Sequence, residues 1–390
     1  DSQVNPQLSL VSGTQGLMTW FETDWRTFNR HRSQFLVSTD AGLSLSASGD
    51  VPVVLPDLHD RPAVAAIGQN FSVSFYSWVN NTRRNWVQPV SAVGQPLGNA
   101  VALGSTTLQE FAAAMVSLPN GGARILWSET SNVLSAPLDS AGLPATTQTL
   151  GTGFNSAGDL TMATLGGRVT AVWTGETPTT TSIFVRQIDV DGGVMGSNFT
   201  SLGLSPSNFA WFTKPHLAAS ASNYGLIYFD GNSPMFVRLT SAGALLGTPT
   251  AVGPRGINGD IASDGTNYLV VWSDTTEAEV HARRYNGATG AAIDVGPIEL
   301  ALYTSIGAGL ENAADPKALF DGTSYVVSWA DVARDGGGFD VARQRLYSDG
   351  GLGPYELVGG GPSADAMREA LGPCELLRAR AGLPAEPGRG

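Results

Sequence analysis

The stretch Asp264-Gly265-Thr266-Asn267-Tyr268-Leu269-Val270-Val271-Trp272 sets the architecture of the chain. Its Asp-Gly pair supplies the positive φ that a tight hairpin turn requires. Residues 268–272 are apolar throughout and end in tryptophan, as a strand covered on both faces does. Asp321-Gly322-Thr323-Ser324-Tyr325-Val326-Val327-Ser328-Trp329 is a near copy. Looser versions run back through the chain. Strand-ending aromatics fall at Trp20, Trp78, Trp127, Trp173, Phe229, Trp272 and Trp329. They are spaced roughly 43 to 58 residues apart, a period in the range of a multi-stranded repeat unit.

Each aromatic strand follows a short apolar segment and a turn, such as Met162-Ala163-Thr164-Leu165 before Gly166-Gly167. A second signature comes after each aromatic: a polar-Gly turn inside another apolar pair. It reads Asp40-Ala41-Gly42, Ala92-Val93-Gly94, Ser140-Ala141-Gly142, Asp191-Gly192-Gly193, Ser241-Ala242-Gly243, Ala288-Thr289-Gly290 and Asp349-Gly350-Gly351. The segments before these turns, such as Phe236-Val237-Arg238-Leu239, alternate as half-exposed strands do. Four strands recurring seven times predict an all-β chain, a seven-bladed β-propeller of four-stranded antiparallel blades over residues 1–358. Each blade takes its own four consecutive strands, so the ring closes by packing alone. The tryptophans and Tyr268 and Tyr325 are expected to wedge between blades. Residues 359–390 form a separate tail, with helix-favouring runs at 364–371 and 375–381 and a disordered Pro/Gly-rich end.

Composition agrees. Over 390 residues there are 48 glycines, 22 prolines and 14% charged residues, which suits short strands and turns rather than long helices. The net charge of −12 argues against nucleic-acid binding, which needs a basic face, and against docking on anionic lipid. Cys374 is the one cysteine, so no disulfide forms within these residues, and an almost thiol-free chain is at ease outside the cell. No apolar run is long enough to span a membrane. The chain opens Asp1-Ser2-Gln3 without methionine, as a processed N-terminus would.

Units reading Asp-Gly-Thr-x-Tyr-x-Val-x-Trp, then an outer strand with Ala-Arg or Val-Arg, then a Gly turn, resemble repeats of secreted propeller-type proteins of myxobacteria and related bacteria. The resemblance covers about residues 5–358 and is most specific in the repeats beginning near Asp260 and Asp315. It implies a secreted or cell-surface location and leaves the activity open. The pattern is not a sialidase Asp-box, because Asp264 follows Ser263 directly and the aromatic lies too far on. Nor is there a Gly-His…Trp-Asp pair of the WD40 kind.

Two constellations could carry chemistry. Around Trp25, Arg26, His31, Arg83, Arg84 and Trp86 the first two units place arginines and indoles on the loop face where propellers commonly bind ligands. Aromatic faces stack on sugar rings and guanidinium forks hold carboxylate or sulfate, so a glycan or a surface protein is the expected partner. The bland alternative is a solvated face with arginines paired to Glu22, Asp24 and Asp60. The second constellation opens the innermost strands: Asp60, Glu110, Asp159, Asp260 and Asp315, with Lys214 and Asn5 in two other units. If these converge on the channel they would need a hard cation such as Ca2+; otherwise each caps its own turn. Phe209-Ala210-Trp211-Phe212 is a third, aromatic patch, either a partner-binding lip or a cover over the channel. No nucleophile elbow, phosphate loop or zinc spacing around His31, His59, His216 or His281 is present. The reading is a monomeric binding or scaffold propeller. The alternative is a polysaccharide-degrading hydrolase or lyase using Asp60 or Asp260 with a nearby arginine or histidine.

Overall fold

The structure is a computed structural model and describes residues 2–12, 15–23, 30–39, 42–45, 49–50, 59–79, 82–92, 95–104, 110–196, 198–206, 214–231, 233–274, 279–301, 316–332 and 339–359. Residues 360–390 of the expected tail, the Phe209–Phe212 patch, Trp25, Arg26 and Asp315 lie outside them; Gly359 ends a strand of the last sheet instead of opening the tail. The described residues hold strands and no helix, so none is long and apolar enough to cross a membrane. They form seven antiparallel sheets, each made of strands consecutive in sequence. Sheet 1 runs Ser2–Ser12, Gln15–Thr23, Arg30–Thr39 and Gly42–Leu45, with Gly49–Asp50 also on its third strand. Sheet 2 runs His59–Ile67, Asn70–Val79, Thr82–Val90, Val101–Ala102; sheet 3 runs Glu110–Ser117, Ala123–Glu129, Asn132–Leu138, Gln148–Gly151. Sheet 4 runs Ser156–Leu165, Arg168–Glu176, Thr181–Asp189, Thr200–Ser201; sheet 5 runs His216–Ala219, Asn223–Asp230, Ser233–Thr240, Leu245–Ala251. Sheet 6 runs Ile257–Ser263, Asn267–Asp274, Glu279–Asn286, Ile298–Ala301; sheet 7 runs Lys317–Phe320, Tyr325–Val332, Phe339–Leu346, Leu352–Gly359. The first strand of sheet 1 lies against the first three strands of sheet 7.

The second strands of sheets 3 to 6 are covered on both sides, and the apolar clusters show by what. Trp127 packs with Ile67 and Val87 of sheet 2, Trp173 with Leu126 and Val133 of sheet 3, and Trp329 with Leu269 and Val271 of sheet 6. Each indole is at most 1% exposed and faces the preceding sheet. Trp272 faces sheet 5 and fits because Gly253 and Gly256 have no side chain: a Cβ there would stand 2.8 and 2.6 Å from the indole.

Two of the seven expected aromatics are displaced. In sheet 5 the residue against the preceding sheet is Tyr228, four after Tyr224 as Trp272 is four after Tyr268; Phe229 turns to sheet 6 instead. In sheet 2 the equivalent is Phe75, not Trp78. In sheets 1 to 4 a β-bulge between the first two strands brackets the aromatic. It lies between Val4↔Phe21 and Gln7↔Thr19 around Trp20, and between Phe111↔Ser128 and Ala114↔Leu126 around Trp127. It lies between Gly158↔Thr174 and Thr161↔Val172 around Trp173, and between Asp60↔Tyr76 and Ala63↔Ser74 around Phe75. A one-residue error in register exchanges the two faces of a strand, which is why an aromatic alone misleads.

Polar side chains also cross between sheets. Tyr268 Oη donates to the carbonyl and to Oδ1 of Asn223 in sheet 5, both at 2.8 Å, and Tyr325 Oη donates to the Asn267 carbonyl of sheet 6 at 3.3 Å. Asn223 and Asn267 precede Tyr224 and Tyr268 at matching positions, so the same tether recurs one sheet on. Gly-turn carbonyls are held likewise: Ser72 Oγ donates to Gly142 at 2.6 Å, Gln187 Nε2 to Ser241 at 2.6 Å, Arg238 Nη1 to Gly287 at 3.2 Å and to Ala288, and Arg284 Nη1 to Ser348. The arginines read as half-exposed outer-strand residues are therefore inter-sheet clamps. Gly290 and Gly350 are the other half of the device. Both have φ in the left-handed region, and a Cβ would stand 2.8 Å from Arg238 Nε or 2.9 Å from Arg284 Nη2.

Removing the buried indole in Trp272→Ala is expected to cost about 3–5 kcal/mol in chemical denaturation, the usual penalty for emptying an aromatic core site. Burial pushes the Tyr268 phenol up to about 12 from 10.0, and burial beside Asp230 does the same for Tyr228. The folded state thus holds these protons more tightly than the unfolded chain. Their contribution is complete below about pH 10 and is lost as pH rises through about 12. The melting temperature should therefore fall between those values. Tyr268→Phe should cost about 1 kcal/mol at neutral pH and make the alkaline decline shallower; an unchanged alkaline profile would contradict this assignment.

Candidate functional site

Of the six residues expected on the loop face, two have described side chains. Arg83, Arg84 and Trp86 are not in a loop, as expected, but on the third strand of sheet 2; Arg84 and Trp86, two apart, share a face. The Arg84 guanidinium carbon stands 5.6 Å from the Trp86 ring centroid, a cation–π contact. Among the described residues no carboxylate pairs with Arg84. Trp86 stands opposite Phe75 on one side and Ala102 on the other, which puts it mid-sheet, and it is half-buried there. His31 lies opposite Phe21 in sheet 1 and Arg83 opposite Trp78 in sheet 2; their side chains are outside the described part.

The four described innermost carboxylates do not share one level. Counted from the inter-sheet aromatic, Asp60 pairs one residue beyond it (Tyr76), Glu110 two beyond (Glu129), and Asp260 one before (Val271). Asp159 is inside the bulge of sheet 4 with φ 50°. Asn258, φ 42°, holds the matching bulge of sheet 6. Asp and Asn tolerate this left-handed conformation better than other non-glycine residues, which gives Asp159 a local structural reason. Among the described residues no three of His, Cys, Asp and Glu gather as a cation site would need.

One level of the inner strands is polar, and reading along the sequence does not reveal it. His216, Asp260 and Lys317 all sit one residue before the aromatic position in sheets 5, 6 and 7, opposite Ile227, Val271 and Ser328. His216 Nδ1 lies 3.0 Å from Asp260 Oδ1, and Asp260 Oδ2 accepts the Ala318 N–H at 2.9 Å. Thr161, at the same level in sheet 4, accepts the Leu217 N–H at 3.3 Å. One side chain thus reaches across to the next inner strand. With both oxygens engaged, Asp260 fixes the imidazole and leaves Nε2 as the nitrogen able to accept or release a proton. Both side chains are mostly covered, at 21% and 14% exposure.

No protein-family model matches the chain, and no curated protein matches it. Solved structures resemble it in fold. Dihydro-heme d1 dehydrogenase NirN in complex with DHE aligns over 92% of this chain and 67% of its own, with TM-score 0.50 and 10% identity. The nidogen/laminin complex aligns over 72% of this chain and 92% of its own (TM-score 0.42, 13% identity). Trypanosoma rangeli sialidase in complex with the inhibitor DANA aligns over 89% of this chain and 55% of its own (TM-score 0.44, 10% identity). This chain therefore spans about half the length of the sialidase. These are β-propeller proteins, and this chain has a fold of the propeller type. At such identities the likeness concerns fold alone, because one fold hosts many activities.

Proposed function

We propose that the seven sheets close into one seven-bladed propeller over residues 1–358 and that this monomeric scaffold acts outside the cell or at its surface. It recognises a glycan or a protein partner through the part of its first two sheets carrying Trp25, Arg26, His31, Arg83, Arg84 and Trp86. The observation that supports this reading is the Arg84–Trp86 stack: a cation without a carboxylate partner among the described residues, lying over a half-buried indole. An aromatic face with an adjoining guanidinium suits a sugar ring bearing carboxylate or sulfate. The carboxylates at different levels leave no Ca2+ site in the proposal. On a glycan array, the intact protein should bind anionic glycans, and the Trp25→Ala/Trp86→Ala double variant should lose at least about tenfold in signal, the size of a desolvated cation–π and stacking contact. An unchanged signal in the double variant would remove this site.

A second reading, a polysaccharide hydrolase or lyase, rests on the His216–Asp260 pair at 3.0 Å. A carboxylate-oriented imidazole is the arrangement a general base requires. Release of reducing ends or unsaturated products from acidic polysaccharides tests it. An enzyme would show turnover that His216→Ala lowers by about 100-fold or more, whereas wild-type protein without turnover would dispose of this reading.

A further inference from the structure

Three of the described junctions between sheets share one device, and the junction between sheets 2 and 3 lacks it. Three residues before the inter-sheet aromatic, each second strand has a cross-strand partner in the third: Thr170↔Gln187 in sheet 4, Gly225↔Arg238 in sheet 5 and Leu269↔Arg284 in sheet 6. In these three the third-strand residue clamps the Gly turn of the next sheet. In sheets 2 and 3 that residue is proline, in the pairs Ser72↔Pro89 and Arg124↔Pro137. Sheet 3 moves the clamp across to its second strand. Arg124, wholly buried, donates to Ser135 and to Gln148 Oε1 at 3.1 and 3.2 Å, and Gln148 Nε2 donates to the Gly192 carbonyl. Burial without a carboxylate holds the Arg124 guanidinium below its ordinary range. Sheet 2 has only Ser72, whose hydroxyl reaches Gly142 and no further. Beside this junction lies a cleft of about 200 Å3, lined by Ile67, Phe71, Leu97, Ser140, Ala141 and Gly142.

We propose that this cleft receives an arginine side chain from a partner polypeptide, in the place that Arg238 and Arg284 occupy in their own junctions. The carbonyl two residues before the turn glycine is the acceptor for Gln187 at Ser241 and for Arg284 at Ser348. Its counterpart here is the carbonyl of Ser140, which no described donor reaches. Phe71, Ile67 and the half-exposed Leu97 offer an apolar wall for the aliphatic stem. Asp139, whose Oδ1 accepts the N–H groups of Ala141 and Leu143 at 2.9 Å, brings a carboxylate to the same turn. The net charge of −12 favours a cationic partner.

Backbone amide shifts of the isotopically labelled full chain, titrated with N-acetyl-arginine amide, test the proposal. Resonances of residues 140–142 and Leu97 should move and saturate, while the uncharged isostere N-acetyl-citrulline amide should bind at least tenfold more weakly. Pro89→Arg installs the clamp of sheets 5 and 6, and should abolish these shifts while raising the melting temperature. Ser72→Arg copies the solution of sheet 3 and serves if Pro89→Arg does not fold. Shifts spread over the acidic surface, equal binding of citrulline, or unaltered shifts in a folded clamp variant would overturn it. None of these residues belongs to the Arg84–Trp86 face, so failure here leaves that reading standing.

Discussion

A four-stranded sheet with two apolar faces cannot remain in water by itself, and mutual covering of such faces is what the rest of this molecule depends on. In sheets 3 to 6 the second strand buries an aromatic against the sheet before it and aliphatic residues against the sheet after it. Burial of this kind is non-directional. Direction comes from the polar tethers: tyrosine hydroxyls on the carbonyls of the previous hairpin, arginine and glutamine side chains on the Gly turns of the next sheet. Each adds only about 1 kcal/mol net, but a buried group left without a partner costs more than that, so the tethers select one orientation of sheet on sheet.

This use of polar groups bears on function. In an acidic chain with few cations, Arg124, Arg238 and Arg284 are occupied in holding sheets together, and the Arg284 guanidinium is also paired with Asp294. Arg343 and Arg345 are paired with Glu356 and Asp321. Among the described residues, Arg84 over Trp86 and the fixed imidazole of His216 are not used in this way. The outer edges are protected as well: Pro249 and Pro354 lie in the exposed fourth strands of sheets 5 and 7, where a missing N–H discourages pairing with another chain.

Much of this is legible from residue order. Asp-Gly turns, apolar second strands and Gly turns after alternating strands are local signals, and the sheets obey them. The aromatic positions are less secure. Trp78 and Phe229 are as conspicuous as Trp272, yet Phe75 and Tyr228 take the equivalent places, because the face an aromatic presents depends on strand register, which composition does not record. The carboxylates Asp60, Glu110 and Asp260 look equivalent for the same reason, although their registers differ by up to three residues.

The strand repeat, the turn chemistry and the burial of Trp127, Trp173, Trp272 and Trp329 were set by residue order, since the strands that carry them depend on neighbours a few residues away. Which side chains meet across sheets emerged only with the assembled fold. His216 and Asp260 are 44 residues apart and come within 3.0 Å only because adjacent inner strands align at one level. The exchange between Pro137 with Arg124 and the arginines of sheets 5 and 6 is likewise invisible until the strands are paired. Backbone conformation is governed by short-range sterics and hydrogen bonding, whereas a contact between sheets depends on the accumulated register of every strand and bulge before it.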